Sequence, residues 1–253
     1  MGATTSISWT ATVLPDGTVR PGATWNPWQG CRKVSEGCRN CYMHADMTRW
    51  GKDPRQVRRS SPATFRAPLK WEAGRKVFVC SWSDFWIEDA DAWRREAWAI
   101  IRARPALTFQ IPTKRPENIA SRLPLDWGAG YPNVWLGVSV ENQETLDTRL
   151  PILARIPAAV HFLSAEPLLS PLDLSGWFDL DLPDDLDKAA GTVTPRLWCI
   201  IGAESGPHRR PMEMEWARSI VAQCQAAGVK VWFKQASALR PGQQGDAPDD
   251  IWN

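Results

Sequence analysis

The chain has 253 residues, of which 43% are hydrophobic and 23% are charged, and its formal net charge is +2. The hydrophobic share excludes wholesale disorder, and six cysteines in this length are too few for a disulfide-held secreted scaffold. The near-zero net charge gives no global electrostatic case for nucleic-acid or membrane binding. No apolar run approaches the roughly 18 residues that span a bilayer, and the start of the chain lacks a secretory signal. We therefore expect a cytoplasmic protein.

The first motif in chain order is a cysteine loop that follows a short apolar run at 23–28. Cys31, Cys38 and Cys41 have the spacing C-x6-C-x2-C, and glycines at 30 and 37 give the backbone freedom to wrap. Thiolates at such spacing can converge on one metal centre. Two sites fit the pattern. Either His44 completes a Cys3His zinc site, or the three cysteines hold a [4Fe–4S] cluster and leave one iron open for a small molecule. The other cysteines are predicted to be core thiols: Cys80, Cys199 and Cys224.

Short apolar runs and helical patterns alternate along the rest of the chain. Strands are predicted at 23–28, 76–82, 107–113, 134–140, 160–166, 197–203 and 229–235, and helices at 90–103, 142–156 and 213–227. Near-continuous apolar strands separated by amphipathic helices are typical of βαβ units and a parallel sheet. The sequence therefore predicts one α/β domain over 1–253, a closed or partial (β/α) barrel of about six to seven parallel strands. Three segments interrupt the rhythm: a polar, turn-rich stretch at 1–23, a basic loop at 50–70 and an acidic insertion at 171–196.

Polar side chains follow almost every predicted strand. In a parallel barrel the carboxyl ends of the strands converge on one mouth, where active sites lie. A run of such ends that mixes carboxylates with basic residues favours a polar ligand site over chance exposure. The candidate ligand-binding residues at this mouth are Asp84, Lys114, Arg115, Ser139, Glu141, Asn142, Glu166 and Glu204.

A cysteine loop after a first strand, followed by βα units, resembles the radical S-adenosylmethionine (radical SAM) superfamily. More closely, the motifs TWNPWQGC at 24–31, TKRP at 113–116, SAEPL at 164–168 and GAESG at 202–206 resemble a phage-associated family of undefined activity. That family carries the same three-cysteine motif, and the resemblance covers about residues 24–235. It implies a radical SAM-like barrel in which Cys31, Cys38 and Cys41 hold a [4Fe–4S] cluster and S-adenosylmethionine chelates the open iron.

The resemblance also implies roles for the residues at the mouth. The run at 137–142 is similar to the segment that contacts the cofactor's ribose, and Glu204 falls in the layer that faces the cofactor. The ribose or amino group would be held by Ser139, Glu141 and Asn142, the ammonium by Asp84 or Glu166, and the carboxylate by Lys114 or Arg115.

The implied activity is radical cleavage of S-adenosylmethionine, followed by hydrogen abstraction from an unknown substrate. A nucleic acid is the candidate substrate, with the basic loop 50–70 as its contact, and the electron donor would be a protein such as a flavodoxin or ferredoxin. The alternative is a non-catalytic zinc module, with Cys31, Cys38, Cys41 and His44 as ligands, that binds nucleic acid or protein.

Overall fold

The fold is built on one seven-stranded parallel sheet. The computed structural model describes residues 4–178 and 197–240. The strands, in chain order and in spatial order, are β1 (Ala23–Trp25), β2 (Lys76–Val79), β3 (Thr108–Thr113), β4 (Val134–Ser139), β5 (Val160–Ala165), β6 (Leu197–Gly202) and β7 (Lys230–Gln235). Every neighbouring pair is parallel, so each connection is a crossover that returns the chain to the same end of the sheet.

Helices and short turns occupy the connections. The helices are α1 (Tyr42–Arg49), α2 (Pro62–Phe65), α3 (Asp91–Arg102), α4 (Gln143–Ala154), α5 (Ser175–Phe178) and α6 (Met214–Ala226). Six 3-10 turns lie at Ser8–Thr10, Glu36–Cys38, Ala67–Lys70, Glu88–Ala90, Pro116–Asn118 and Ala120–Arg122. Two small antiparallel ribbons pair Thr12–Val13 with Val19–Arg20, and Trp28–Gln29 with Arg58–Arg59. None of the helices within the described ranges is long and apolar enough to cross a membrane.

The main core lies between the sheet and the helices on its outer face. All six residues of β5 are buried, which agrees with the near-continuous apolar pattern expected of a strand covered on both faces. Helix α3 turns its buried face towards this core, with Ala97 and Ile101 fully enclosed. The predicted helices at 90–103, 142–156 and 213–227 are thus confirmed, each with slightly shorter bounds.

A second, smaller aromatic cluster fills the concave side of the sheet. The N-terminal turn at Ser8–Thr10 places Trp9 with its ring centroid 4.8 Å from that of Phe78 on β2 and 5.9 Å from that of Trp198 on β6. The Trp232 indole on β7 donates a hydrogen bond to Ser8 Oγ at 3.3 Å. The N-terminal segment therefore bridges strands from both halves of the curled sheet and closes the interior below the strand ends.

The sheet is a partial barrel, because β1 and β7 are its two edges and no ladder joins them in the described part of the chain. The first predicted strand is split, since the chain leaves the sheet after Trp25 and enters the second ribbon at Trp28. The predicted basic loop at 50–70 contains the strand Arg58–Arg59, helix α2 and a 3-10 turn, so it is more ordered than a long loop. Most of the predicted acidic insertion, 179–196, lies outside the described residues.

Candidate functional site

A cavity of about 200 Å³ opens at the carboxyl ends of the strands. The three predicted metal ligands, Cys31, Cys38 and Cys41, line it. Six residues predicted to bind a cofactor line it as well: Asp84, Lys114, Arg115, Ser139, Glu166 and Glu204. Glu141 and Asn142, also predicted to bind the cofactor, are not among its lining residues. The strand ends therefore meet at one site, as the barrel geometry requires.

The cysteine loop presents three free, half-buried thiols to this cavity. It is folded by tight turns in which Cys38 N–H donates to Ser35 O at 2.9 Å and Cys41 N–H donates to Cys38 O at 3.4 Å. Across the described ranges no three His, Cys, Asp or Glu side chains converge on a position for a single metal ion. Burial, and then the charge of Lys33, lower the pKa of His44, which hydrogen-bonds to the backbone of Cys31.

The first anchor of the cysteine loop is a buried Asp84–Arg115 pair behind Cys31. Arg115 Nη1 lies 3.5 Å from Cys31 Sγ and 3.6 Å from Asp84 Oδ2, and Arg115 Nη2 donates to Arg32 O at 2.7 Å. Asp84 also accepts the Thr113 hydroxyl at 2.8 Å. Burial, followed by the Asp84 carboxylate, raises the pKa of the Cys31 thiol to about 12 against the opposing effect of Arg115. Asp84 and Arg115 thus already bind each other and the loop.

The second anchor is Glu141, whose side chain is fully buried. It accepts Gly37 N–H of the cysteine loop at 3.3 Å and pairs with Arg149 Nη1 at 2.8 Å. The same Arg149 atom donates to the carbonyl of Ser139 at 2.6 Å. Its neighbour Asn142 caps helix α4 in a capping box with Thr145. These contacts place Glu141 and Asn142 behind the site, where they support the loop and the helix.

The third anchor is Glu204, which follows β6. Its carboxylate accepts Asn40 Nδ2 at 2.9 Å and Arg210 N–H at 2.7 Å, and it forms an ion pair with the Arg210 guanidinium. Arg210 also forms an ion pair with Glu36, with Nη1 at 3.1 Å from Oε2. Glu36 lies two residues before Cys38 in the cysteine loop. Burial raises the pKa of Glu204, but the contacts with Arg210 and Asn40 outweigh it and lower the pKa overall. The loop is thereby tied to the sheet at both ends of its Glu36–Asn40 stretch.

The side of the cavity formed by the last strands has a different character. Glu166 pairs with Lys234, and both line the cavity. The lining also contains apolar residues from the interior cluster: Trp9, Phe78, Phe162 and Ile200. Lys114 lines the cavity and has no carboxylate within ion-pair distance among the described residues. The cavity thus combines a thiol-bearing wall, a largely aromatic base and one cation without a described counter-ion.

Sequence reasoning missed the partners of Glu141 and Glu204. Arg149 lies eight residues after Glu141, and this spacing does not predict a contact unless the packing of α4 against the sheet is known. Arg210 lies six residues beyond Glu204, in a turn with no distinctive pattern. Asn40 sits inside the cysteine motif and was available as a signal, because an amide between two cysteines is a natural donor to the mouth. The sequence does not predict that Trp9 lines the cavity, because Trp9 lies in an N-terminal segment remote in sequence from the strand ends.

Replacing Gly30 with alanine should destabilise the cysteine loop. Gly30 has φ +94°, and an added Cβ would lie 2.4 Å from the carbonyl oxygen of Gln56. Backbone strain and this clash together should lower the free energy of unfolding by about 2 kcal/mol or more. Gly17 is the matched control, since it has φ +80° with nothing within 4 Å of an added Cβ. Urea denaturation of both variants measures the difference, and equal losses would show that the close approach to Gln56 has no cost.

Comparison with solved structures identifies the fold. A cysteine-to-serine mutant of spore photoproduct lyase is similar with a TM-score of 0.51 and 14% identity, over 83% of this chain and 76% of the lyase chain. A tyrosine-to-phenylalanine mutant of that lyase gives a TM-score of 0.50 at 12% identity, over 81% and 74% of the two chains. At such identity the similarity shows the fold alone, and that fold is the predicted partial (β/α) barrel. No curated protein sequence matches the chain significantly. Residues 4–247 match the family described as a protein of unknown function, DUF5131, and the chain belongs to that family.

Proposed function

We propose that the protein is an iron–sulfur enzyme of the radical SAM type, with a [4Fe–4S] cluster bound by Cys31, Cys38 and Cys41. The observation that carries this proposal is the position of three free thiols on one loop, facing a cavity at the carboxyl ends of a partial-barrel sheet. Three protein ligands leave one iron of such a cluster open. A small molecule in the same cavity is then within reach of that iron.

We favour a cluster over zinc. A zinc site needs its ligands around one ion, and the described residues contain no such group of three. A [4Fe–4S] cluster binds each thiolate through a different iron, so it does not need three ligands that share one ion. The bond between His44 and the Cys31 backbone also gives this histidine a structural contact in place of a ligand role.

We propose which cavity residues would contact each part of a bound S-adenosylmethionine. Lys114 is the candidate partner for the carboxylate, because it lacks a described counter-ion, and Ser139 supplies a hydroxyl to a polar group of the cofactor. Asp84, Arg115, Glu141 and Glu204 hold the cysteine loop, and Asn142 caps α4 beside it. Glu166, with Lys234 as its partner, remains available at the opposite wall.

When bound, the cluster and S-adenosylmethionine would supply one-electron radical chemistry for hydrogen abstraction from the substrate, with the electron provided by a protein donor such as a flavodoxin or ferredoxin. The buried Arg115–Cys31 contact places a positive charge against one cluster ligand and stabilises its thiolate form. The apolar base of the cavity excludes water from the space in which a radical would react.

The proposed substrate is a nucleic acid. The support on this chain is the basic character of the segment that packs against the cysteine loop, where Cys31 N–H donates to Pro54 O at 2.8 Å. The structurally similar lyase acts, as its name states, on spore photoproduct. The proposed association with phages rests on the motifs at 24–31, 113–116, 164–168 and 202–206.

Metal analysis of protein purified without oxygen tests the proposal. We expect a brown protein that contains iron and acid-labile sulfide and that releases 5′-deoxyadenosine when incubated with dithionite and S-adenosylmethionine. Colourless protein with one equivalent of zinc would instead establish the zinc module. An intact cluster without 5′-deoxyadenosine would leave an iron–sulfur protein of another kind and refute the assigned cofactor.

A further inference from the structure

Trp50 is the most exposed tryptophan of the described residues, with 72% of its surface accessible. It is the C-cap residue of α1, the helix that begins directly after Cys41. Within the described ranges its ring makes no aromatic contact. The indole is therefore accessible to a flat ligand that stacks on it.

The backbone around Trp50 is held rigidly. Lys52 N–H donates to Met47 O at 2.9 Å and Gly51 N–H donates to Thr48 O at 3.0 Å, with Gly51 at φ +67°. This is the Schellman arrangement that ends a helix. Met47 itself is buried, so the turn is secured to the core. The turn therefore fixes the backbone from which the indole projects.

The surroundings of Trp50 are positively charged. Residues 49–59, called the Trp50 segment below, contain five basic residues and one acidic residue in a chain whose net charge is only +2. Arg55 pairs with Asp53 at 3.5 Å and Arg59 pairs with Glu96, both in exposed positions where such pairs are weak. Among the described residues no carboxylate lies within ion-pair distance of the remaining three: Arg49, Lys52 and Arg58.

The Trp50 segment runs along the cysteine loop. Its Pro54 carbonyl accepts Cys31 N–H, and its last residues, Arg58 and Arg59, pair with the ribbon strand Trp28–Gln29 just before that loop. Helix α1 connects the other end of the segment to the cavity, because Tyr42, its first residue, lines the cavity. Eight helical residues span ~12 Å, which puts Trp50 within a few nucleotides of the mouth.

We infer that Trp50 stacks on an unpaired base of a single-stranded nucleic acid whose phosphates lie along the Trp50 segment. Proteins that bind single strands combine a basic track with an aromatic side chain on which a base stacks, and Trp50 with its basic neighbours supplies both. In the sequence Trp50 is flanked by Arg49, Gly51 and Lys52, so the charge beside it complements phosphates rather than an apolar protein surface. The inference rests on the nucleic-acid substrate proposed above and assigns its contact residue.

Binding of a fluorescein-labelled single strand of about 12 nucleotides, followed by anisotropy, tests the inference on the full chain. Trp50→Ala should weaken binding by about tenfold or more, while Trp50→Phe should retain most of the affinity. Trp232→Ala is the control, because Trp232 is partly exposed on the edge strand β7, remote in sequence from the segment. Arg58→Gln should lower the slope of log affinity against log salt by about 0.7, the value for one phosphate contact on a single strand.

Equal affinity of Trp50→Ala and the unaltered chain would overturn the inference, and so would absence of nucleic-acid binding at low salt or a preference for intact duplex. The same measurement on Cys38→Ala separates the two proposals. Strand binding that persists there supports the Trp50 contact whether or not a cluster exists. Conversely, 5′-deoxyadenosine formation by a protein that binds no strand would leave the enzyme proposal standing and refute this contact alone.

Discussion

Cys38→Ala should abolish the brown chromophore and reduce bound iron to background. Two of the three proposed cysteine ligands then remain on the loop, Cys31 and Cys41. A [4Fe–4S] cluster bound by three cysteines then lacks one iron ligand, so the loop binds the cluster much more weakly. The loss is expected to be complete, with no 5′-deoxyadenosine formed above background. Absorbance near the cluster bands, iron content and product analysis together measure it.

Two control variants define what that loss means. His44→Ala should keep the chromophore, since His44 contacts the backbone of Cys31 and is not needed as a ligand. Cys224→Ala removes a thiol that is buried beside Cys199 in the core, so it should keep iron while lowering stability. Loss of metal in His44→Ala but retention in Cys38→Ala would contradict the cluster assignment.

Much of the fold could be predicted from the sequence because parallel strands and their helices have distinct periods. Runs such as 160–166 are mostly apolar, and β5 is buried along its whole length although it contains His161 and Ser164. What the pattern could not decide was closure of the barrel. Whether the edge strands β1 and β7 pair is decided by tertiary packing, which the local sequence of either strand does not encode.

The sequence predicts which residues come together at the site, but it does not predict the contacts that each of them makes. Strand-end position was enough to bring Asp84, Arg115 and Glu204 to the cavity. It could not tell that each already has a partner, since Arg115 contacts Cys31 and Arg210 contacts Glu204 through turns whose course depends on tertiary packing. A charged residue at a strand end has the same sequence signal whether it binds a ligand or holds a loop.

Glu141→Ala should lower the free energy of unfolding by about 3–5 kcal/mol, because it leaves the Arg149 guanidinium buried without its counter-charge. The loop also loses the acceptor for Gly37 N–H. Glu96→Ala is the matched control, since the exposed pair that Glu96 forms with Arg59 should be worth about 1 kcal/mol or less. Urea denaturation of the metal-free proteins gives both numbers without contributions from a cluster.

A double variant at Glu141 and Arg149 distinguishes whether Glu141 holds the cysteine loop or contacts the cofactor. If the carboxylate holds the loop, Glu141→Met combined with Arg149→Met should recover much of the stability, since no charge is then left buried. Bound S-adenosylmethionine should be retained by that double variant. If Glu141 instead contacts the cofactor, as its sequence motif implies, the double variant should be stable yet bind the cofactor poorly. Stability and cofactor affinity therefore respond independently, and the carboxylate's fully buried position favours the loop-holding role.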